Sequence, residues 1–595
     1  MKCKNVSLIT NLIIVVQTAF YFMLFSPHQA SLNAAENPMV GSTFCNPLNL
    51  DYNFQNKVPD WRQAADPDIF VFHGDYYLFA SKSAGYWWSQ DMDHWHFVKP
   101  EGLDLEKYAP AVFNIGDKVY YTASGCPDIY ETEDPKQGKW KKVGSGMNWG
   151  DPAVLVDDDK KVYAYFGSAA YGTVFVVQLD PENRFAVMGK PIPCLKVDAK
   201  NHGFENRGDN NERTQGGTGT NAPWIEGPWM NKIKGKYYLQ YAVPATEERS
   251  YADGCYVSDS PTGPFEFCTQ SPISFKPLGF VTGLGHGATF ADLQGKFWHI
   301  DCVTISRLMM FERRLAVFPA AIDRDGMLHC DTCLADYPQY LPGKAPKGAK
   351  DNLVPNCMLL SYGKKTEATS SLPDHPPSDA VDENMATWWS AKTADPGESL
   401  TVDLGHNCDV SAIQANFAEQ DAQSGSSDRS HTFSIRYKVE GASNAHGPFV
   451  MLFDKSQNDK DQPHDYVPLK STRLVRFVRI TNEGPMPAGG KFAIRDLRIF
   501  GNAHGELPSP VADFTVNRSK DDPRSAAISW KPVPNADGYI IRFGIAPDKL
   551  YNHYQIWGGD ASSNEIHSLN VDVPAYFTID VYNSSGLVRG TVIKK

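Results

Sequence analysis

Three acidic residues in this chain lie in settings that suit acid–base chemistry, and the clearest is in the stretch Asn-Ala-Pro-Trp-Ile-Glu-Gly-Pro-Trp, residues 221–229. Glu226 follows the apolar Ile225 and has Trp224 and Trp229 close by in sequence, so we expect apolar surroundings to raise its pKa. A carboxyl that keeps its proton near neutral pH can act as a general acid. The alternative interpretation is a structural glutamate in a turn at the end of a strand.

Asp66 and Asp151 have related settings, since each precedes a proline and opens a hydrophobic segment. These segments belong to a unit that recurs from Asp66 to about Leu341: a polar start, a hydrophobic strand, a turn with Gly or Asp, and an aromatic-rich strand. Successive copies begin at Asp66, Ala109, Asp151, Glu226 and His286, at spacings of 43, 42, 75 and 60 residues.

Repeats of roughly 40–50 residues built from short strands are typical of a β-propeller, here with five blades. The first strand of each blade lines the axis of a propeller, so we expect the residues that head these strands to converge. The long third spacing predicts an inserted loop, residues 201–220, that forms part of the rim. Ala109 heads a blade without a reactive group.

Alternating strands, turn signals and few helical patterns continue to the C-terminus, which predicts two β-sandwiches. The fold class is therefore all-β: a five-bladed β-propeller followed by two β-sandwich domains. We expect Trp530 in the core of the last domain. The predicted segments are 1–31 (signal peptide), 40–343 (propeller), 350–503 (first sandwich) and 507–595 (second sandwich).

The charge of the chain and its N-terminal segment indicate which kinds of partner and which location to expect. A net charge of −12 over 595 residues, without a basic run, argues against nucleic acid. Lys2 and Lys4 precede the apolar run from Leu8 to Phe25, which predicts a cleaved signal peptide, a secreted or periplasmic protein and no membrane contact after cleavage. A single membrane anchor is the alternative, but the run is interrupted and short of a span of about 20 residues.

The cysteines carry little information. Eleven are scattered along the chain, and Cys330 and Cys333 form a lone C-x-x-C, which is a weak zinc signal without further ligands. Disulfide pairing and oligomeric state stay open.

Three motifs of the propeller resemble those of glycoside hydrolase family 43: Ala65-Asp-Pro-Asp-Ile, Gly150-Asp-Pro-Ala-Val-Leu-Val-Asp-Asp-Asp, and Ile225-Glu-Gly-Pro. The resemblance covers about residues 46–342. It implies a five-bladed propeller in which Asp66 is the general base, Asp151 orients the acid and tunes its pKa, and Glu226 is the general acid. Asp68, on the same side of the strand as Asp66, is the rival for the base.

The later domains resemble other families. Residues 380–390 and 494–501 are similar to motifs of discoidin-type (coagulation factor 5/8 type C) domains, many of which bind carbohydrate. Trp388 and Trp389 are expected in the core of that domain rather than on a ligand surface. The last domain resembles fibronectin type III domains, which usually act as spacers.

The family resemblance implies an inverting glycosidase, in which the two carboxyls stand about 6.5–9.5 Å apart. We expect an exo-acting α-L-arabinofuranosidase on plant polysaccharide or arabinogalactan side chains. The alternatives are a β-D-xylosidase, a β-D-galactofuranosidase or, in another class, a non-catalytic carbohydrate-binding protein. A glycosyl-transfer or phosphorolysis enzyme would need a basic cluster that the sequence does not show.

Several residues are candidates for binding the substrate or a metal. The resemblance implies that Arg313 lines the sugar pocket while Arg314 points the other way, and Trp88 and Trp149 are candidates for stacking on a sugar ring. His286 resembles an axial histidine of the family that faces a calcium ion through water. We therefore expect no cofactor for the chemistry itself and Ca²⁺ on the propeller axis as the one metal to consider. Residues 157–159 are interpreted as a solvated turn rather than a calcium loop.

Overall fold

The computed structural model describes residues 37–55, 61–103, 107–145, 148–213, 222–304, 309–349, 352–354, 356–423 and 433–595. The predicted signal peptide, residues 1–31, lies outside the described residues. Helical structure in the described ranges consists of short 3₁₀ segments: Pro135–Gln137, Pro181–Asn183, Gly203–Glu205, Pro377–Ala380 and Pro487–Gly489. Within these ranges, no helix has the length and apolar character needed to span a bilayer.

Five antiparallel sheets, each with four strands that follow one another in the chain, confirm the predicted propeller; the sheet of blade 4 has Ala169–Ala170 as a fifth strand at its edge. Blades 1 and 2 consist of Asp68–Phe72, Asp75–Phe79, Tyr86–Ser89 and His96–Val98, then Tyr108–Ile115, Lys118–Ser124, Cys126–Thr132 and Lys141–Ser145. Blade 3 consists of Ala153–Val156, Val162–Phe166, Thr173–Asp180 and Ala186–Lys196. Blades 4 and 5 consist of Trp224–Ile233, Lys236–Val243, Ala252–Ser258 and Glu266–Phe267, then Gly285–Ala291, Phe297–Thr304, Arg313–Ile322 and Leu328–Cys330.

Aromatic side chains of the second and third strands fill the space between blades. Phe79 of blade 1 stacks on Tyr86 with ring centroids 4.2 Å apart, and Trp140 of blade 2 packs edge-on against both rings. Large flat side chains of this kind each contribute about 1.5–3 kcal/mol when fully buried. The aromatic-rich second strand of the repeat is thus the element that holds neighbouring blades together.

The residues before blade 1 close the propeller. Thr43–Phe44 pairs with Gln339–Tyr340, which lies beyond blade 5, and Asn53–Gln55 pairs with Trp61–Gln63. This arm lies between blade 1 and the next domain, since His464 donates its main-chain N–H to Asn49.

The first sandwich domain forms one hydrogen-bonded sheet of eight strands around its own core. Its strands are Met358–Leu359, Lys365–Ala368, Trp389–Ser390, Ser399–Phe417, Tyr437–Ala442, Val450–Lys455, His464–Asn482 and Ala493–Asn502. The two longest strands shift register at two places, where β-bulges let a strand bend. Trp388 and Trp389 are 6% and 0% exposed, as expected for core residues.

The last domain consists of a three-stranded and a four-stranded sheet, which confirms a second sandwich with Trp530 buried in it. Its strands are Phe514–Arg518, Ala526–Trp530, Gly538–Gly544, Asn552–Trp557, Ser563–Ile566, Tyr576–Asn583 and Gly586–Val588. Its likeness to fibronectin type III domains stays a prediction.

The last domain is docked on the propeller, so the interpretation of it as a spacer is wrong. One hydrophobic core includes residues of blades 3 and 4 together with this domain, such as Tyr241, Phe275 and Tyr554. The predicted rim loop of blade 3 belongs to the same interface, because Gly203 donates to the carbonyl of Leu569. The described part of that loop therefore binds the last domain rather than forming a free rim, and residues 214–220 lie outside the described residues.

A buried network of charges joins the propeller to the first sandwich domain. Glu419 accepts from Arg62 (2.6 Å) and pairs with Arg495 (3.4 Å), and Arg495 also donates to Glu312 (2.9 Å). The side chains of this network are at most 2% exposed. Burial alone would raise the pKa of Glu419, but the surrounding arginines hold that pKa below its usual range. Arg314 lies in this network, as its predicted orientation away from Arg313 requires.

Glu419→Gln removes one charge from this network and should strongly destabilise the protein. Breaking a buried ion pair leaves its partners uncompensated and typically costs about 3–5 kcal/mol, which urea denaturation would detect as a lower midpoint. Arg324→Ala is the control, because the Arg324–Asp548 pair is 76% and 58% exposed and should contribute less than about 1 kcal/mol. Equal effects of the two substitutions would contradict this account.

Candidate active site

The inner strand of every blade is preceded or interrupted near its start by a residue in the left-handed backbone region. The φ angles are 48° at Asp66, 45° at Ala109, 46° at Asp151, 55° at Gly227 and 57° at His286. In blades 2, 4 and 5 the strand register shifts at this point, as in a β-bulge. Non-glycine residues in this region are strained, and such strain clusters at functional sites.

Glu226 does not occupy the same repeat position as Asp66 and Asp151, which corrects the sequence alignment of the blades by one residue. The left-handed residue of blade 4 is Gly227, and Glu226 precedes it, still paired with Ala242. A side chain at Gly227 is excluded, since a Cβ there would lie 2.6 Å from the ring of His286. The Glu-Gly pair therefore serves two purposes: Glu226 supplies a carboxyl and Gly227 admits the imidazole.

The structure brings the three acids and His286 together. Ligand atoms of Asp151, Glu226 and His286 all lie within 4.8 Å of one another, and His286 Nδ1 is 3.3 Å from Asp66 Oδ1. Asp66, Asp151 and His286 are buried, and Glu226 is half-buried. Burial lowers the pKa of His286 and four neighbouring carboxyls raise it, and the net result is a raised pKa.

Asp66 is held as a carboxylate. Arg313 donates from Nη1 to Oδ1 (2.9 Å) and from Nη2 to Oδ2 (3.4 Å), and Ser81 donates to Oδ2 (2.5 Å). Burial opposes ionisation, but Arg313 and His286 outweigh it, so the pKa of Asp66 is lowered. Arg313 is itself 3% exposed and also donates from Nη1 to Thr246 Oγ1 (3.1 Å), and its contact with a sugar stays a prediction.

Glu226 has the opposite electrostatic character. Burial, followed by the charge of Asp151, raises its pKa to about 7, against the opposing effects of His286 and of a hydrogen bond from Tyr251. Tyr251 donates to Oε1 at 2.6 Å, and Ser168 donates to Oε2 at 3.4 Å. Two neighbouring carboxyls whose pKa values are pushed apart in this way are the usual sign of an acid–base pair.

Asp151 lies between the other two acids. Burial and the charge of Asp66 raise its pKa, while His286 and hydrogen bonds from Ser124 and Ser168 lower it, and the net shift is upward. Ser168 thus contacts both Asp151 and Glu226, so that this one hydroxyl couples the two carboxyls.

Asp68, the rival for the base, lies at the junction of blades 1 and 2. It accepts from the main-chain N–H of Val112, and burial raises its pKa well above the ordinary value. Those features fit a structural acid that joins two inner strands.

Sequence reasoning missed the small hydroxyl and thiol groups that hold the blade heads. Ser81 accepts from the N–H of Ala109 (2.7 Å), Ser124 from that of Asp151 (3.2 Å), and the thiol of Cys302 from that of Asp66 (3.0 Å). Each lies at or just beyond the end of the second strand of one blade and binds the head residue of the next. An alignment of the second strands of the repeats would have revealed this pattern, because Ser81, Ser124 and Cys302 end equivalent segments.

A second buried cluster positions His286. Asp253 accepts from the main-chain N–H groups of His286 and Gly287, both at 2.9 Å. His299 lies 3.1 Å from Asp253 and 3.0 Å from Asp301; burial would lower its pKa, but Asp301 and Asp253 raise it to about 10. A cationic His299 therefore balances two buried carboxylates, and Asp253 fixes the bulge that aims His286.

The donors around His286 do not fit a directly coordinated calcium ion. Calcium takes six to eight oxygen ligands, whereas Asp151, Glu226 and His286 offer one ligand atom each, and the nearby oxygens of Asp66 and Asp253 are engaged by Arg313, His299 and main-chain N–H groups. An ion held only through water stays a prediction, and no step of the chemistry below depends on one.

Trp149 and Trp88, the two candidates for stacking on a sugar ring, lie in different surroundings. Trp149, two residues before Asp151, is half-buried and stacks on Phe166 with centroids 4.4 Å apart, so it stays a candidate. Trp88 lies on the third strand of blade 1, roughly 10 Å from the inner strand at the usual strand spacing. It stacks on His96 of the same blade, and Lys136 of blade 2 lies over its ring; these contacts favour packing between blades, and the sugar contact stays a prediction.

The structure locates two further sets of residues. Asp158 and Asp159 are exposed in a turn, as expected, whereas Asp157 is buried and binds Lys232 and Tyr237 of blade 4, each at 2.6 Å, so it links two blades. Cys330 and Cys333 are free thiols and, within the described ranges, belong to no group that could hold a metal.

Glu226 should lower the stability of the folded protein at neutral and alkaline pH. Its folded pKa of about 7 exceeds the ordinary 4.5, so between these values the native state binds more protons and the free energy of unfolding falls as pH rises. Glu226→Gln lacks this titration and keeps an acceptor for Tyr251. Thermal unfolding should show the variant gaining roughly 3 kcal/mol over the parent between pH 4.5 and pH 8; a pH-independent difference would contradict this.

Two segments of the chain match known protein families. Residues 61–328 match the family model of glycosyl hydrolases family 43, and residues 365–496 match that of the F5/8 type C domain. A solved structure titled glycoside hydrolase is similar at 19% identity over 76% of this chain and 99% of its own, with a TM-score of 0.41.

Curated relatives match over a smaller share of their own length, at 24–29% identity. A beta-D-galactofuranosidase of Aspergillus niger is 24% identical over 39% of this chain and 71% of its own. A xylosidase/arabinosidase of Bacteroides ovatus is 29% identical over 30% and 56%, and an arabinoxylan arabinofuranohydrolase of Paenibacillus polymyxa is 27% identical over 40% and 44%. The propeller of this chain therefore matches glycosyl hydrolases family 43, and the domain that follows it matches the F5/8 type C domain.

Proposed function

We propose that this protein is an exo-acting, inverting glycosidase that hydrolyses terminal α-L-arabinofuranosyl residues of plant polysaccharide or arabinogalactan side chains. The observation that carries the proposal is the contrast between two carboxyls in one buried site. Burial and Asp151 raise the pKa of Glu226 to about 7, whereas Arg313 and His286 overcome burial and keep Asp66 ionised.

In this proposal Glu226 donates its proton to the glycosidic oxygen as the bond to the leaving sugar breaks. Asp66 accepts a proton from the water that attacks the anomeric carbon from the opposite face. One displacement of this kind inverts the anomeric configuration and needs room for the water between the carboxyls. The water's proton ends on Asp66 and the proton of Glu226 ends on the leaving hydroxyl, so the protein must exchange both with solvent before the next turnover.

The other polar and charged groups of the site set the protonation states of Glu226 and Asp66. Asp151 opposes ionisation of Glu226 through its charge, and Ser168 and Tyr251 fix the Glu226 carboxyl. Arg313 keeps Asp66 charged and oriented, which fits a positioning role better than direct contact with a sugar.

The identity of the terminal sugar is inferred from the names of the relatives. Relatives named for arabinose release support the proposal, and a beta-xylosidase of Xylanibacter ruminicola and the beta-D-galactofuranosidase favour two alternatives on the same site. A carbohydrate-binding protein without activity would not require the separated pKa values of Asp66 and Glu226.

Glu226→Gln and Asp66→Asn should give different kinetic signatures. We would compare dinitrophenyl α-L-arabinofuranoside, β-D-xyloside and β-D-galactofuranoside with oligosaccharides that carry the same terminal sugar. A dinitrophenyl group leaves without protonation, so Glu226→Gln should lose about 10²–10⁴-fold in kcat on the oligosaccharide and much less on the aryl glycoside. Asp66→Asn should lose activity on both.

Asp68→Asn is the matched control, since Asp68 lies two residues from Asp66 and Asn keeps an acceptor for Val112. It should retain activity on every substrate that the parent cleaves. Full activity of Asp66→Asn together with inactivity of a folded Asp68→Asn would transfer the role of base to Asp68, and no turnover by the parent would argue against a glycosidase.

Asp151→Asn should narrow the pH range of activity from the alkaline side. Removing the Asp151 charge lowers the pKa of Glu226 from about 7, so the acid loses its proton at lower pH. The alkaline limb of kcat/KM against pH should therefore shift downward, while the acid limb set by Asp66 moves little. An upward shift of the alkaline limb would contradict the role given to Asp151.

A further inference from the structure

A short segment of blade 3 crosses to the edge of the inner strand of blade 4. Ala169–Ala170 pairs antiparallel with Trp224 and Ile225, and Tyr171 donates its main-chain N–H to the carbonyl of Pro223 (2.9 Å). Gly172 makes this approach feasible, because a Cβ there would lie 3.0 Å from the side chain of Ile225. The crossing places Ser168, Tyr171 and Trp224 beside Glu226.

Hydrogen bonds through Ser168 fix the position of Trp224 relative to Glu226, the proposed acid. Its indole N–H donates to Ser168 Oγ at 3.1 Å, and that hydroxyl donates to Glu226 Oε2 at 3.4 Å. Trp224 lies two residues before Glu226 in the same strand. The polar atom of the indole is thus satisfied within the protein, and the part of the side chain that faces solvent is the flat apolar ring.

Exposure of this ring is unusual in the molecule. The three most exposed Phe, Tyr and Trp side chains within the described ranges are Trp224 (39%), Tyr171 (38%) and Tyr108 (37%). All three lie by the blade heads: Trp224 and Tyr171 on the side of Glu226, and Tyr108 directly before the head residue of blade 2. Tyr108 packs against Phe311, on which Arg313 lies, so it is on the side of Asp66.

The position of the acid identifies what these rings contact. Glu226 delivers its proton to the leaving oxygen, so the surface adjoining Glu226 and remote from Asp66 faces the leaving group. Aromatic faces bind the apolar C–H faces of sugar rings, with few polar groups needed for orientation. A fixed, exposed indole at this place suits a sugar as leaving group better than a small alcohol.

We propose that Trp224, with Tyr171 beside it, is the binding platform for the leaving-group sugar, so that the substrate class is an oligo- or polysaccharide whose scissile bond joins two sugar units. This inference rests on the proposed function, because it uses Glu226 as the proton donor. Trp224 and Tyr171 determine which leaving-group sugars the site accepts. The groups around Asp66 bind the other sugar, the terminal unit whose anomeric carbon is attacked.

Kinetics with two leaving groups test the platform. Trp224→Ala should lower kcat/KM about tenfold or more on an oligosaccharide, and less than about threefold on the dinitrophenyl glycoside of the same terminal sugar. Trp224→Phe should recover most of the loss, since it keeps a flat ring. Trp224→Leu, which keeps apolar bulk without the ring, replaces Trp224→Ala if that variant does not fold. Equal losses on both substrates, or none on the oligosaccharide, would overturn the proposal.

Binding measurements distinguish failure of the Trp224 platform from failure of the proposed hydrolysis. In the Glu226→Gln background, arabino-, xylo- and galacto-oligosaccharides would be titrated calorimetrically against the same protein with and without Trp224→Ala. A Kd weakened about tenfold or more by Trp224→Ala supports the platform even where the parent turns over no substrate. An unchanged Kd, or no binding of any of these sugars, would overturn it, whereas absent turnover by the parent counts only against the reaction.

Discussion

The ion pair between Arg313 and Asp66 is the interaction on which the site depends. It keeps one carboxyl charged in a buried place where burial alone would neutralise it. The pair is supported from behind, because Glu312 and Arg314, the neighbours of Arg313, are bound to Arg495 and Glu419 of the F5/8 type C domain. That domain is therefore a structural part of the glycosidase, whether or not it also binds carbohydrate. Its buried charges are costly to desolvate and stable only as a complete set.

The electrostatic environments of Asp66 and Glu226 are opposite in the same site. Asp66 is surrounded by cationic and hydroxyl donors, whereas Glu226 faces Asp151 and receives hydrogen bonds from the uncharged hydroxyls of Tyr251 and Ser168. His286 lies between them, aimed by Asp253 through two main-chain hydrogen bonds. Opposite electrostatic environments a few ångströms apart allow one cluster of acids to hold a proton at one end and lack it at the other.

Much of this could be predicted from contiguous sequence. The repeated unit, found at five places and headed by a polar residue at four of them, indicated both the propeller and the convergence of Asp66, Asp151 and His286. The same pattern misaligned Glu226 by one residue, since a bulge is decided by strand pairing and not by residue type. Trp88 illustrates a second limit: an aromatic residue in a strand suits a sugar site or the space between blades equally well, and only its neighbours distinguish the two.

By itself, therefore, the sequence determined the repeat, the fold class and which acids head the blades, because each depends on residues that are close together in the chain. The tertiary structure decided the charge of those acids, the docking of both sandwich domains and the place of Trp224 beside Glu226. These features depend on contacts such as that of Arg313 with Asp66, which are 247 residues apart. A pKa is set by all the charges and burial around a group, and the chain brings these together only when the propeller closes.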